Sequence, residues 1–169
     1  MSGLSFRGVA ACAVLVAGLA AAAEPGALRL GEMELVYDTA RWRVESAGEN
    51  SVTLQPVGDA ARTLDPVMVD RGPGSEKDCE RLARRRLVDR TYEEATASAA
   101  EIAGRPAVRL TAHTRCRNAM PRGVVICVEH RGTAYLLSAT RPGCRSGGRN
   151  LFSGIDPLLE LAGGVRFQP

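Results

Sequence analysis

The chain predicts an α+β fold, an antiparallel β-sheet flanked by two helices. Three observations carry that reading. Short runs rich in β-branched and aromatic residues recur between turn signals over the first third and again from Ala107 to Thr140. One charged stretch near residues 76–92 has apolar residues at helical spacing instead. Asp156-Pro157 then marks a second helix start, followed by a last apolar triplet, Val165-Arg166-Phe167.

Taken in order, Leu28 to Tyr37 places Met33, Leu35 and Tyr37 on one parity and reads as a half-buried strand. Trp42 and Val44 share a face in the next, and Trp42, the sole tryptophan, reads as core. Gly48-Glu49-Asn50 is a turn before the strand Ser51 to Pro56, and another short strand covers Leu64 to Val69. Asp70 to Ser75 breaks this meander, with Ser75 as a helix N-cap. The helix runs from Glu76 to about Tyr92, with Cys79, Leu82, Ala83 and Leu87 on one side. Glu93 to Ala100 either extends it or loops away. Gly104-Arg105-Pro106 opens a long strand from Ala107 to Arg117, with Val108, Leu110, Ala112, Thr114 and Cys116 on one face. Asn118 to Gly123 turns into the strand Val124 to His130, and Arg131-Gly132-Thr133 makes a tight hairpin into Ala134 to Thr140. Pro142 to Arg149 is a Gly- and Arg-rich loop. Pro157 to Ala162 is a short helix that Gly163-Gly164 ends.

The first 23 residues set the expected compartment. Arg7, an uncharged run from Val9 to Ala23 and a small-residue end form a secretory signal peptide, with cleavage expected after Ala23. The run is shorter than the roughly 20 apolar residues of a membrane span, so no integral membrane segment is expected after cleavage. Val9-Ala10-Ala11-Cys12 loosely resembles a lipobox, but only about four apolar residues precede Cys12, too few for an h-region. The mature chain, residues 24–169, holds about 146 residues, a single domain by size. Its remaining cysteines, Cys79, Cys116, Cys127 and Cys144, are even in number in an exported chain and predict two disulfides. A metal site wants close C-x-x-C pairs, and here the nearest two cysteines are eleven residues apart.

The basic residues are 21 Arg and one Lys, a skew that with abundant Ala and Gly suggests a GC-rich bacterial genome. Without the leader, 21 basic residues face 19 acidic ones, a balance too even for a nucleic-acid face. Export, Arg bias and paired cysteines together predict a bacterial periplasmic protein.

Trp42, Gly104-Arg105-Pro106-Ala107-Val108-Arg109, Gly132-Thr133-Ala134-Tyr135-Leu136-Leu137 and the helix-to-strand unit Phe152 to Phe167 give the chain a recognisable order. It resembles the PsbP/Mog-one-like superfamily, in particular its DcrB-like bacterial periplasmic branch. The resemblance implies an α/β/α sandwich that works by binding or assembly, without a shared catalytic centre. The four cysteines are not part of the general pattern. On that fold Cys116 near a hairpin tip and Cys144 after the third strand return to one sheet edge. This favours Cys116–Cys144 with Cys79–Cys127, slightly ahead of Cys79–Cys116 with Cys127–Cys144.

No residue pattern supplies a catalytic centre, a cofactor or a metal. G-x-S-x-G is absent, and Gly147-Gly148 and Gly163-Gly164 lack the strand–loop–helix phosphate pattern. Arg81, Arg84, Arg85 and Arg86 read as a solvated helix face partnered by Glu76, Glu80 and Asp89, with a docking surface for an acidic partner or anionic lipid headgroups as the alternative. Arg141, Arg145 and Arg149, around the Gly-rich loop, are the candidate docking residues. The expected function is therefore a non-enzymatic accessory protein docking to an envelope protein complex. The alternative is a small-ligand carrier or enzyme with a pocket between sheet and helix, using His113, His130 or Glu129. In the simplest register His113 faces Cys127 and His130 faces Leu110, so the two rings need not share a face.

Overall fold

The computed structural model describes residues 24–62, 64–74, 76–87, 92–114, 121–140 and 157–169. Ten strands and two helices follow one another: β1 (Pro25–Leu30), β2 (Met33–Asp38), β3 (Trp42–Ala47), β4 (Ser51–Pro56), β5 (Val67–Pro73), α1 (Glu76–Arg86), β6 (Tyr92–Ile102), β7 (Arg105–Thr114), β8 (Pro121–His130), β9 (Thr133–Thr140), α2 (Pro157–Ala162) and β10 (Val165–Phe167). A seven-stranded sheet has the order β3-β4-β5-β9-β8-β7-β6, and a three-stranded sheet the order β1-β2-β10. Every pairing is antiparallel.

Strands β8 and β9 lie at the centre, and their near-continuous apolar sequence follows from burial on both faces. Leu110 and Ala112 of β7, Val125 and Cys127 of β8, and Ala134 and Leu136 of β9 point to one side, where Cys79, Ala83 and Leu87 of α1 and its final turn cover them. Those three helical positions recur every four residues, which puts them on a single stripe. Val124, Ile126, Val128, Tyr135 and Leu137 point to the other side. There they meet Trp42, the small sheet's Met33 and Leu35, and Leu158 and Leu161 of α2. The two helices thus cover opposite faces, as expected, but α2 shares its face with a second sheet that the sequence reading did not anticipate.

The hairpins are tight because their turns adopt positive φ. Arg131 and Gly132 join β8 to β9 at φ 51° and 76°, and Ala103 and Gly104 join β6 to β7 at 51° and 71°. Positive φ at both central residues gives the turn whose twist matches that of the flanking strands.

Four expectations are corrected. Leu28 to Tyr37 is not one strand: Leu30 pairs with Met33 and the chain reverses at Gly31-Glu32. The helix ends at Arg86 rather than Tyr92, and Tyr92–Ile102 is the edge strand β6, in register with β7 from Glu94↔His113 to Ile102↔Arg105. Its Ala-rich sequence favours helix by intrinsic propensity, but pairing with β7 overrides that preference. Strand β5 begins at Val67 and continues through Asp70-Arg71-Gly72 to Pro73, because β9 supplies partners there. In β7–β8, Leu110 lies opposite Val125 and Val108 opposite Cys127, so neither histidine takes its expected partner.

Cys79 and Cys127 form a disulfide with Cα atoms 5.4 Å apart, which overturns the pairing of Cys79 with Cys116. Cys116 and Cys144 lie outside the described residues. The bond pins α1 to the centre of the large sheet. At the other face, α2 ends in a close backbone approach: Val36 N–H donates to the Gly164 carbonyl at 2.9 Å. A Cβ on Gly164 would stand 1.9 Å from the Val36 carbonyl oxygen.

Replacing Cys79 and Cys127 together by Ala is expected to lower unfolding free energy by about 3–4 kcal/mol, since the bond closes a loop of 48 residues. Urea denaturation in oxidising buffer measures it. Gly164→Ala is expected to cost about 2–3 kcal/mol by forcing backbone apart, while Gly163→Ala, whose nearest contact would be 3.4 Å, costs under about 1 kcal/mol. Equal effects in the same assay would contradict this reading.

Candidate functional groove beside the disulfide-bound helix

Helix α1 has 11 residues and so spans about 16 Å. Fixed to β8 by its disulfide, it packs on β7, β8 and part of β9 and leaves β4, β5 and the end of β9 uncovered on the same face. The side chains there show why. On β4 and β5, Val52, Leu54, Val67 and Val69 turn to the opposite core, while Ser51, Thr53, Met68 and Asp70 turn to the α1 side. Ser138 and Thr140 continue that polar face on β9. The result is a groove with a polar sheet floor and a helical wall.

Its wider part is a cleft of about 460 Å³, floored by Ser51, Asp70 and Leu136 and walled by Leu82, Arg85 and Arg86. A second hollow of about 200 Å³ continues along the strands over Thr53, Met68, Ser138 and Thr140. Arg86 borders both.

Asp70 is the one acidic residue lining either hollow. Its side chain is 17% exposed and pairs with Arg86. Burial pushes its carboxyl above the usual carboxylate value, and the charge and hydrogen bond of Arg86 only partly offset this. Arg71 closes one end, its Nε donating to Asn50 Oδ1 at 2.8 Å while its backbone N–H donates to the Asn50 carbonyl at 2.9 Å. Arg85 makes no ion pair among the described residues.

The other charged residues of α1 behave as a solvated face. Arg84 pairs with Glu80 at 2.6 Å and donates to the Ala95 carbonyl at 3.2 Å, and Arg81 pairs with Asp78. Of the expected acidic partners, Glu80 is used and Asp89 lies outside the described residues. Arg141, Arg145 and Arg149 also lie outside them.

The histidine constellation does not assemble. His113 pairs with Pro121 at one end of β8 and His130 is the last residue at the other, about 30 Å along the strand. His130 instead belongs to the seam between the sheets, 2% exposed and stacked on Phe167 with ring centroids 4.6 Å apart. Its Nε2 stands 3.1 Å from Glu32 Oε2, within ion-pair distance, yet neither ring nitrogen makes a well-aligned hydrogen bond. The distance therefore marks proximity and not a formed bond. Glu129 accepts from the Gly132 N–H at 2.5 Å and serves the hairpin turn. Among the described residues no three metal-ligating side chains come together.

Both sheet faces and both helices are now accounted for, and together they define a PsbP-like fold of mostly antiparallel sheets with few helices. The solution structure of cyanobacterial PsbP (CyanoP) from Synechocystis sp. PCC 6803 matches with a TM-score of 0.55 and 12% sequence identity, over 95% of this chain and 99% of that one. A crystal structure from Bacteroides thetaiotaomicron VPI-5482 matches with a TM-score of 0.51 and 12% identity, over 82% of this chain. The chain covers 46% of that protein's length. At this identity the likeness is one of fold. No family model matches the sequence, and no match is found among curated proteins.

The sequence reading held a pocket between sheet and helix only as an alternative and assigned it other residues, though a signal for this groove existed. Strands β4 and β5 alternate polar and apolar residues, whereas β8 is apolar on both parities. A helix-covered face and an uncovered one on the same sheet would leave that difference.

Because folded Asp70 keeps its proton to higher pH than the unfolded chain, its favourable contribution is full at low pH. It is lost as pH rises through its raised value. Asp70→Asn is expected to flatten this part of the stability–pH profile, measured as urea midpoints in acidic buffers spanning the carboxylate range. An unchanged profile would show that Asp70 does not titrate abnormally.

Proposed function

We propose that the protein is an exported accessory module that docks, without catalysis, to a protein complex of the bacterial envelope. The observation that carries the reading is the groove: a helix locked to the sheet centre beside an uncovered, partly charged sheet face. Such a surface is preorganised, so little ordering cost opposes association. The Cys79–Cys127 bond suits an oxidising compartment and agrees with residues 1–23 acting as a leader. Among the described residues no helix is long and apolar enough to cross a membrane. The PsbP-like fold supports a binding role; in this reading residues 24–169 form one DcrB-like domain and Cys116–Cys144 a second bond.

Arg141, Arg145 and Arg149 extend the proposed contact surface. Arg141 directly follows Thr140, which lines the second hollow. The alternative, a ligand pocket between sheet and helix served by His113, His130 or Glu129, draws less support. Cys79, Ala83, Leu87, Leu110, Val125 and Cys127 pack directly against one another under α1, and His113, His130 and Glu129 do not converge.

The test is affinity capture from periplasmic and membrane extracts with the oxidised mature protein. A triple Arg141→Ser, Arg145→Ser, Arg149→Ser variant runs beside it. A specific envelope protein retained by the wild type and lost by the variant is the expected result. Retention of nothing above background would sink the docking reading.

A further inference from the structure

We propose that the groove beside α1 binds an extended acidic segment of a partner protein, whose carboxylates engage Arg85 and Arg86. The proposal rests on the docking reading and names the chemistry of its partner.

Charge is the first argument. Arg85 and Arg86 wall the groove, Arg71 closes one end, and one carboxylate lies on its floor. Arg85 is without an ion pair among the described residues, and Arg86 is shared with Asp70 alone. A carboxylate presented between them gains planar, charge-assisted contacts that neither arginine now makes in full. Asp70 is a weak competitor for Arg86, because burial already disfavours its charged form. Once an incoming carboxylate takes Arg86, Asp70 loses the group that partly offsets its burial.

Shape is the second. Both hollows are open along one side and join at Arg86, running with β4, β5 and β9 instead of closing around a small molecule. From Gly72 to Pro66 the floor covers six residues of rise, about 20 Å, so an extended segment of about six residues fits. A Cβ built at Gly72 meets nothing within 4 Å, so this end is open to a chain. Beyond the arginines, Thr53 and Thr140 offer hydroxyls to a peptide backbone, and the 37%-exposed Met68 offers an adaptable apolar contact.

The test is direct binding of a fluorescently labelled peptide of that length, alternating Glu and Ser, to the oxidised mature protein at low salt. The same peptide with Gln for Glu is the control. The Glu peptide is expected to bind and the Gln peptide not. Arg85→Gln, at an unpaired surface position that folding does not need, is expected to weaken binding at least fivefold. Asp70→Asn is expected to tighten it severalfold, because it removes the competitor for Arg86; a merely structural role for the pair predicts no gain. Circular dichroism verifies that each variant is folded. Equal binding of the Gln peptide, no effect of Arg85→Gln, or weaker binding by Asp70→Asn would each overturn the proposal. Displacement of the peptide by inorganic phosphate at equal charge concentration would overturn it in favour of a small-anion site. If the peptide fails to bind while extract capture still retains a partner, the groove assignment falls and the docking reading stands.

Discussion

Covering both faces of β8 and β9 is the constraint on which the rest of the structure depends. These strands carry apolar residues on both parities, so each face needs a layer above it. Each fully buried Leu, Ile or Val contributes about 1.5–3 kcal/mol relative to exposure, and the two strands together hold many of them. The chain meets the need unequally. One face receives a short helix and a disulfide; the other receives a helix, a hairpin and the C-terminal strand.

That inequality explains where the groove lies. The α2 side is covered by α2 and the three-stranded sheet, and Val52, Leu54, Val67 and Val69 of β4 and β5 are buried there. On the α1 side, 11 helical residues cover the strands nearest the disulfide and no further. Beyond their reach the sheet face must be compatible with water, and Ser51, Thr53, Asp70 and Thr140 make it so. Asp70 sits at the border of the two regimes. It is close enough to α1 to be half desolvated, and it is held there by Arg86 from the last turn of the helix.

The second sheet is held by a different chemistry. Tyr135 accepts from the Glu32 N–H at 3.2 Å, and Phe167 lies between His130 and Tyr135, with Arg105 5.5 Å from its ring centre. Ion pairs there involve partly exposed groups, such as Arg131 with Glu32 at 3.7 Å, and contribute little beside the ring packing. The close backbone approach of Gly164 to Val36 completes the attachment, which is why a single methyl there carries a large cost while the neighbouring glycine tolerates one.

Sequence by itself determined the strands around β7 to β9, the tight turn at Arg131-Gly132, the helix start at Pro157, the burial of Trp42 and the α+β class. Each of these is written in local periodicity or turn chemistry, which needs no knowledge of distant neighbours. The tertiary structure alone decided the rest. Strand β6 exists because β7 offers it a partner, against the helical preference of its alanines. The β7–β8 register followed burial of Val125 and Cys127 under α1 and not a symmetric turn. Of the two disulfide pairings considered, the sandwich brought Cys79 to Cys127, because the helix stripe and the β8 face that carry them are pressed together. The groove, finally, is no property of any segment. It exists where a helix of fixed length stops short of a sheet wider than itself.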